Sequence, residues 1–411
     1  MINYNKFNIF IREHCLTFLF VVILSPIFVS LDLSQGLKFD EFFYGLDNPS
    51  YKYPSIPISV LIILVLSVWN LKGLLCNKRI QILSILVSIH IGLNLSFGIT
   101  RAAIVGIGMM LIVTSYYNFL RIINDRNVYK NFYVALAFVI AVKLFFDLLM
   151  TIMSFSPYYL QFSNTLHNYF VNISIGEATK FFSTRFFISK NFVIYNYYDY
   201  FPFIYYLSAT LSVQNLLRRR YLILSLIVLV FSNLAVIGSG SRLFMYSIYL
   251  IPFLYIFYQF TKLSLERYFY LFLFVSFAII LIVAFSEFQA SDISLMSRYN
   301  HIHQYFENFS LVNLIFPFLN EHRIQSSGSL HNELLEIFSF FGFVIVYYLF
   351  LLKQIFCNTK IEFKFIAYLL IFVLIIGTLI QINISNPYVG IITGAIFAVI
   401  SRGPTKIRHQ L

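Results

Sequence analysis

Apolar segments of about 20 residues, separated by charged residues or proline, follow one another along the 411-residue chain. A helix needs about 20 residues to cross a bilayer, whereas a barrel strand needs about 10. Only 11% of the residues are charged, compared with about 25% in soluble domains. The sequence therefore predicts an all-α polytopic membrane protein. It excludes a water-soluble globule, a disordered chain and, with three cysteines, a disulfide scaffold.

Hydropathy over windows of about 19 residues predicts twelve spans. They lie near residues 15–32, 57–74, 79–98, 102–120, 132–154, 199–216, 221–238, 243–260, 268–286, 335–353, 363–382 and 386–401. An even number of spans places both termini on one side of the membrane. No internal repeat or low-complexity linker divides the chain, so residues 1–411 are predicted to form a single integral membrane domain.

The distribution of charge predicts which side that is. Nineteen Lys and Arg residues and four acidic residues lie on the side of the N-terminus, against nine basic and twelve acidic residues on the other side. Because Lys and Arg are retained in the cytoplasm during insertion, both termini are predicted to be cytoplasmic. The net charge of +12 then reflects topology and contact with anionic lipids rather than nucleic-acid binding.

Three connections on the outer side are long: residues 33–56, 155–198 and 287–334. Long loops in compact proteins are usually functional or disordered. The 155–198 loop is rich in aromatic residues, which predicts short interfacial helices on the membrane surface. The 287–334 loop carries the densest polar cluster of the chain.

Arg242 ends the segment GSGSR, residues 238–242, between two predicted spans. Glycine allows backbone N–H groups to approach an anion, and the following helix starts with its positive dipole end. A forked arginine at such a turn is suited to a phosphate or diphosphate. The alternative is an arginine that extends to the outer interface beside an ordinary turn.

His331 lies in SSGSLHNELLEIFSFFG, residues 326–342, where a polar loop enters a span. A histidine of near-neutral pKa is suited to act as a general base for a hydroxyl. Glu333 and Glu336 follow closely and are candidates to orient it. The alternative is that Asn332 or Ser329 caps the helix and His331 is a solvated loop residue.

Further arginines on the outer side are candidate ligands for a diphosphate, because guanidinium groups neutralise its charge. These are Arg101, Arg185, Arg298 and Arg323. Arg298 and Arg323 have an alternative role as loop charges paired with Glu307 or Glu321. His301 and His303 have no compact set of carboxylate or thiolate ligands beside them, so no metal site is predicted.

Lys143 and Asp147 lie four residues apart within a predicted span. Charges inside a membrane are candidates for function, but this spacing also permits a self-neutralising pair. His90, alone in an apolar segment, is interpreted as a hydrogen-bonded interior residue.

The order of these motifs resembles the bacterial O-antigen polymerase and O-antigen ligase family. Its members have a small-residue turn ending in Ser-Arg before a span, then a long outer loop closed by His-Asn with a glycine about eleven residues later. The matching residues are Ser241 and Arg242, then His331, Asn332 and Gly342. The resemblance covers roughly residues 230–350. The tryptophan that often follows the early loop arginine is absent, with Tyr299 and Tyr305 in that region instead.

The resemblance implies glycosyl transfer on the periplasmic face of the bacterial inner membrane, from an undecaprenyl-diphosphate-linked glycan. It implies that Arg242 and His331 are catalytic, that Arg298 binds the donor diphosphate, and that neither a metal nor another cofactor takes part. The expected partners are lipid-linked oligosaccharides, membrane lipids, a chain-length regulator and a flippase.

Polymerisation of lipid-linked repeat units is the first hypothesis, favoured by the long 155–198 loop and the aromatic-rich composition. Ligation of finished chains to the lipid A core shares the same motifs. A lipid-linked-sugar transporter or flippase can also have twelve spans, but it places substrate charges near the bilayer midplane, where this sequence has only Lys143 and Asp147. A purely structural scaffold is a fourth alternative.

Overall fold

The computed structural model describes residues 4–25, 28–32, 36–40, 55–123, 127–154, 200–239, 242–285, 293–322, 332–380 and 387–402. The described part is helical apart from a small antiparallel sheet. The helices are α1 (Tyr4–Leu24), α2 (Ile58–Trp69), α3 (Leu71–Leu75), α4 (Lys78–Ser96), α5 (Arg101–Ile122), α6 (Val128–Ser154), α7 (Tyr200–Leu217), α8 (Leu222–Ser239), α9 (Arg242–Tyr249), α10 (Ile251–Thr261), α11 (Leu265–Phe285), α12 (Ile293–Glu307), α13 (Val312–Ile315), α14 (Glu333–Phe341), α15 (Val344–Cys357), α16 (Lys364–Ile380) and α17 (Pro387–Arg402). Two 3₁₀ turns cover Pro317–Leu319 and Ile361–Phe363.

The first predicted span, 15–32, is wrong at its C-terminal end. Helix α1 ends at Leu24, because Pro26 disfavours helical backbone at the residue before it. Residues 28–32 form a strand, β1 (Phe28–Asp32), which pairs with β2 (Gly36–Asp40) and β3 (Ser55–Pro57) in the order β2-β1-β3. The described ends of the predicted 33–56 loop therefore belong to a sheet.

The other eleven predicted segments are helical in the described part of the chain, but several are interrupted. The segment 243–260 divides at Leu250 into α9 and α10. Pro252 lacks the N–H that would bond the carbonyl of Ile248 and continue α9. The segment 335–353 divides at Gly342, which has a φ of 52°, a backbone conformation that favours glycine.

Three of the described helices are long and apolar enough to cross a membrane: α4, α5 and α11. The shorter apolar helices are His14–Leu24, Ile58–Trp69, Val128–Val142, Leu222–Val236, Val344–Cys357 and Pro387–Arg402. The exposed faces of α4 and α11 are apolar, with Ile85 59% exposed and Phe274 71% exposed. Extended apolar surfaces of this kind are unfavourable in water and suit contact with lipid.

The chain divides into two compact units, each assembled from separate stretches of sequence. The first contains residues 1–64 and 123–254. In it, α1 packs on α6, where the rings of Phe20 and Phe132 are 5.1 Å apart. Helices α6, α7 and α8 share buried hydrogen bonds, including one of 2.8 Å between the hydroxyls of Tyr133 and Ser212. Such bonds join helices where apolar surroundings leave hydroxyl groups no water.

The second unit contains residues 65–122 and 255–402. Its most extensive helix pair is α5 with α17, and α4 packs on the same central helix α5. Glycine makes the α5–α17 approach possible: a Cβ atom added at Gly394 would lie 2.5 Å from the carbonyl oxygen of Ile112. Small residues at helix contacts are typical of membrane proteins, because they allow backbones to approach closely.

This packing predicts that Gly394→Leu destabilises the second unit by about 2 kcal/mol or more, because the nearest atoms are backbone atoms of Ile112 and Tyr116 and the Cβ atom of Ser115, none of which can rotate away. Gly92→Leu is the matched control, since a Cβ atom there meets nothing within 4 Å. Thermal unfolding of the purified protein in detergent measures both. Equal melting temperatures for the two variants would contradict the close helix contact.

Candidate functional site

Arg101 and Glu336 form an ion pair inside the second unit, although 235 residues separate them in sequence. The guanidinium Nε of Arg101 donates to Oε1 of Glu336. The Glu336 side chain is 1% exposed and that of Arg101 is 33% exposed. The pair therefore has a buried acidic half and a basic half that reaches the surface.

A tight turn between α4 and α5 places Arg101. Gly98 has a φ of 76°, which glycine adopts without a steric penalty. The backbone N–H of Ile99 donates to the carbonyl oxygen of Asn94 at 3.0 Å. Arg101 becomes the first residue of α5, at the end of the helix where backbone N–H groups have no helical acceptor.

Asn332 begins the second half of the site as the N-cap of α14. Its Oδ1 accepts a hydrogen bond from the backbone N–H of Leu335 at 3.0 Å. Glu333 and Glu336 occupy the first turn, where carboxylates interact favourably with the helix dipole. For Asn332, this geometry confirms the capping alternative raised by the sequence.

Glu333 and Glu336 are both buried. Glu333 lies close enough to Tyr348 of α15 to interact with it electrostatically. Glu336, predicted as an orienting residue for His331, contacts Arg101, while His331 itself lies outside the described residues. Glu336, predicted as a supporting residue, therefore positions Arg101, which was predicted as a diphosphate ligand.

Asn94 is a residue of this site that the sequence analysis did not identify. It is fully buried, and its Nδ2 donates to the carbonyl oxygens of His90 at 2.8 Å and Phe340 at 2.9 Å. The second bond ties α4 to the C-terminal half of α14. An asparagine one turn after the lone His90 in an apolar segment was the available signal, since buried amides require partners.

His90 is hydrogen-bonded, as predicted. Its Nδ1 is 2.9 Å from the carbonyl oxygen of Leu86, and its ring lies 6.1 Å from that of Phe341. Its role is therefore local, within α4 and against α14.

Gly342 ends α14 beside the 3₁₀ turn Pro317–Leu319. A Cβ atom on Gly342 would lie 3.1 Å from the ring of Pro317. The glycine of the predicted motif is thus explained by its positive φ and by close packing. Through this contact, the end of α14 packs against the folded part of the predicted 287–334 loop.

That predicted loop contains a helix of 15 residues, α12, which packs on α11. The ring of His303 joins them, with Nδ1 3.1 Å from the carbonyl oxygen of Ala284. Its Nε2 is 3.1 Å from Oε1 of Glu307. Tyr305 and Leu335 are buried in one cluster with Ala284, so α12, α11 and α14 share a core.

His301 lies with its ring 6.0 Å from that of His322, across the same folded segment. In the part of the chain that the structure describes, no three His, Cys, Asp or Glu side chains gather in a way that could hold a metal ion.

Some of the remaining predicted site residues lie in described helices without a described side chain, and others lie outside the described residues. Arg242 is the first residue of α9, in agreement with the predicted helix start, and Arg298 lies in α12, but neither side chain is described. His331, Arg323 and Arg185 lie outside the described residues, as does the 155–198 loop. Lys143 and Asp147 belong to α6, again without described side chains.

Chemically, the described site can present a positive charge to an anion at one end of the candidate spans. Arginine has five N–H donors in a planar fork, and here Nε bonds Glu336. The two terminal nitrogens of this partly exposed guanidinium remain suited to bidentate contact with phosphate oxygens. Glu336 fixes the orientation of the Arg101 guanidinium and neutralises part of the positive charge of that group.

Comparison with models of known protein families, with curated proteins and with solved structures found no match.

The ion pair predicts non-additive effects of substitution on stability. Arg101→Met removes the Arg101 cation from the buried Glu336 carboxylate and is expected to cost about 2 kcal/mol. Glu336→Gln keeps an acceptor for Nε and is expected to cost less. In Arg101→Met/Glu336→Gln the buried charge is gone, so the double variant should be more stable than the sum of the two single losses implies. Thermal unfolding of all four proteins tests this, and strict additivity would contradict a direct interaction.

Proposed function

We propose that this chain is an O-antigen polymerase. In this proposal, twelve spans place both termini in the cytoplasm and the active site on the periplasmic face of the bacterial inner membrane. The enzyme transfers a glycan from an undecaprenyl-diphosphate donor to a lipid-linked repeat unit.

The observation that carries the proposal is the contact between Arg101 and Glu336. It joins an outer-side arginine to the first turn of the helix that begins two residues after His331. The two sequence regions selected for diphosphate binding and for proton transfer therefore meet within one compact unit. This meeting supports a shared role, because a diphosphate leaving group and the attacking hydroxyl must be held near the same anomeric carbon.

The reaction we propose uses groups of this chain only. The acceptor hydroxyl attacks the anomeric carbon, a new C–O glycosidic bond forms, and the bond from that carbon to the diphosphate oxygen breaks. His331 takes the hydroxyl proton. Arginine side chains stabilise the charge that the departing undecaprenyl diphosphate acquires. We assign this role to Arg101, Arg298 and Arg323 from the unit of His331, and to Arg242 and Arg185 from their sequence context alone.

The lipid part of the donor also fits the fold. An isoprenoid chain needs an apolar surface at the depth of the bilayer, and α4 and α11 present exposed apolar faces in the unit that contains Arg101. The diphosphate then lies at the membrane boundary, where an arginine can meet it without being fully desolvated.

Polysaccharide profiling of a deletion strain tests the function. We expect loss of long chains, with single repeat units still attached to the lipopolysaccharide core. Lipid-linked polymer with nothing attached to the core would identify a ligase and overturn the polymerase proposal. Complementation with the unaltered chain is the control for effects on neighbouring genes.

In the same strain, Arg242→Ala and His331→Ala are expected to lower polymer formation by 100-fold or more, of the order seen when a general base or a charge-stabilising group is removed (about 10²–10⁴-fold). Arg267→Ala, an exposed arginine at the start of α11, is the matched control and should retain polymer formation. Protein abundance is measured for every variant.

Other outcomes identify other functions. If Arg242→Ala and His331→Ala are active while substitution of Lys143 and Asp147 abolishes function, the protein is a transporter. If all these variants are active at normal abundance, the role is structural.

The proposed topology predicts the side from which Cys76 reacts. Cys76 lies exposed between α3 and α4, which the charge distribution places in the cytoplasm. With Cys15 and Cys357 replaced by serine, a small charged thiol reagent should label Cys76 only after the inner membrane is opened. In Asn300→Cys of a chain lacking the native cysteines, the same reagent should react from the periplasm. Labelling of Cys76 in intact cells would place Cys76 in the periplasm and contradict the proposed topology.

A further inference from the structure

A cavity of about 390 Å³ lies in the second unit, at the opposite end of α5 from Arg101. Its walls are the start of α4, the last turns of α5 and the end of α15, and they include Arg79, Tyr117, Gln354 and Asn358. The volume is in the range of small-molecule sites. The proposed glycosyl transfer uses none of these residues.

Hydrogen bonds hold the polar walls of the cavity in place. Nη1 of Arg79 donates to Oε1 of Gln354, which links α4 to α15. Tyr347 donates through its hydroxyl to the carbonyl oxygen of Arg79 at 3.1 Å. Nδ2 of Asn358 donates to the hydroxyl of Tyr116 at 2.7 Å. The guanidinium of Arg79 keeps further N–H donors beyond the one that bonds Gln354.

Among the residues that the structure describes, the unpaired charges nearest the cavity are basic. Arg79 is the charged residue of the lining. Lys78 is its exposed neighbour in sequence, and Arg402, at the end of α17, lies close enough to Tyr116 to act on its hydroxyl electrostatically. The nearby acid Glu266 is already paired with Lys353 at 2.8 Å. An anion is therefore the expected occupant.

An exposed apolar surface continues from the cavity along the helices. On α15, Val346 and Phe350 precede Gln354 at intervals of four residues and are 61% and 42% exposed. Residues four apart share one helix face. On α4, Ile82 lies one turn beyond Arg79 and is 46% exposed. The polar cavity and the apolar surface together match a molecule with an anionic head and hydrocarbon chains.

We propose that this cavity binds the phosphate headgroup of an anionic phospholipid, with its acyl chains along Val346, Phe350 and Ile82. In the proposed topology the site faces the cytoplasmic leaflet, where basic pockets between helices bind anionic headgroups. The inference does not depend on glycosyl transfer, since it uses the opposite end of α5.

Native mass spectrometry of the purified protein tests the proposal, with phosphatidylglycerol and phosphatidylcholine of identical chains as probes. We expect retention of phosphatidylglycerol, weakened at least about fivefold by Arg79→Met, because one basic residue near a membrane surface contributes about that factor. Arg267→Met is the matched control and should bind as the unaltered chain does. Equal losses in both variants, or no preference for phosphatidylglycerol, would overturn the proposal.

Inorganic phosphate distinguishes a lipid site from a site for a soluble anion. Millimolar phosphate should leave phosphatidylglycerol bound, because the apolar surface contributes only to the lipid. Complete displacement by phosphate would overturn the lipid assignment.

A fluorescence measurement locates the chains. The protein has one tryptophan, so Trp69→Phe/Phe350→Trp moves the only tryptophan beside the cavity. Phosphatidylglycerol brominated in its acyl chains should quench this tryptophan more than brominated phosphatidylcholine does, and Arg79→Met should remove the difference. Equal quenching by both lipids would show that the surface contacts bulk lipid without selection.

Discussion

The absence of water in a bilayer is the constraint on which this structure depends. Backbone N–H and C=O groups there must be satisfied within the protein, which restricts spanning segments to helices. Each break in a helix therefore needs a local replacement for the lost hydrogen bonds. At α14 the side chain of Asn332 provides one by capping the first turn. Between α4 and α5, a turn closed through the carbonyl of Asn94 provides another.

The same constraint explains why polar side chains concentrate at helix ends and helix contacts. The amide of Asn94 bonds the carbonyl of Phe340 because no water is available between α4 and α14. The buried carboxylate of Glu336 is stabilised by Arg101 and by the N-terminal end of its own helix. Polar groups that hold the helices together thus also shape the surface where an anion can bind.

Close packing sets a second condition for these contacts. Helix α5 can serve as the centre of its unit because Gly394 on α17 brings the two backbones together. On its other side, Gly106 leaves room for Val87 of α4, Ile91 of α4 and Phe341 of α14. With larger side chains there, the start of α5 and the start of α14 would be held further apart. The ion pair between Arg101 and Glu336 is therefore a consequence of small residues elsewhere in the helices.

Hydrophobicity and proline by themselves determined most of the secondary structure, because a helix is the default for an apolar segment of this length. The start of a helix at Arg242 and the hydrogen bonding of His90 within α4 were predictable because both depend on local sequence. The early end of α1 was not predicted, although Pro26 gave a signal. Strand β1 was mistaken for the end of a span because a short apolar run does not by itself distinguish a strand from a helix. The helix α12 was missed because its polar residues resemble those of a loop until packing on α11 buries one face.

Only the tertiary structure decided which charged residues meet. The sequence placed Arg101 and Glu336 on the outer side, yet it assigned Glu336 to His331, since residues close in sequence are the natural partners to consider. Packing of α4, α5 and α14 brings Glu336 beside Arg101, 235 positions away, and the sequence did not predict this contact. Likewise, Arg79, Gln354 and Asn358 carry no motif, and they share a cavity because the start of α4 lies beside the ends of α5 and α15. Local sequence encodes which segments are helical, whereas partners across helices depend on side-chain fit that no single segment contains.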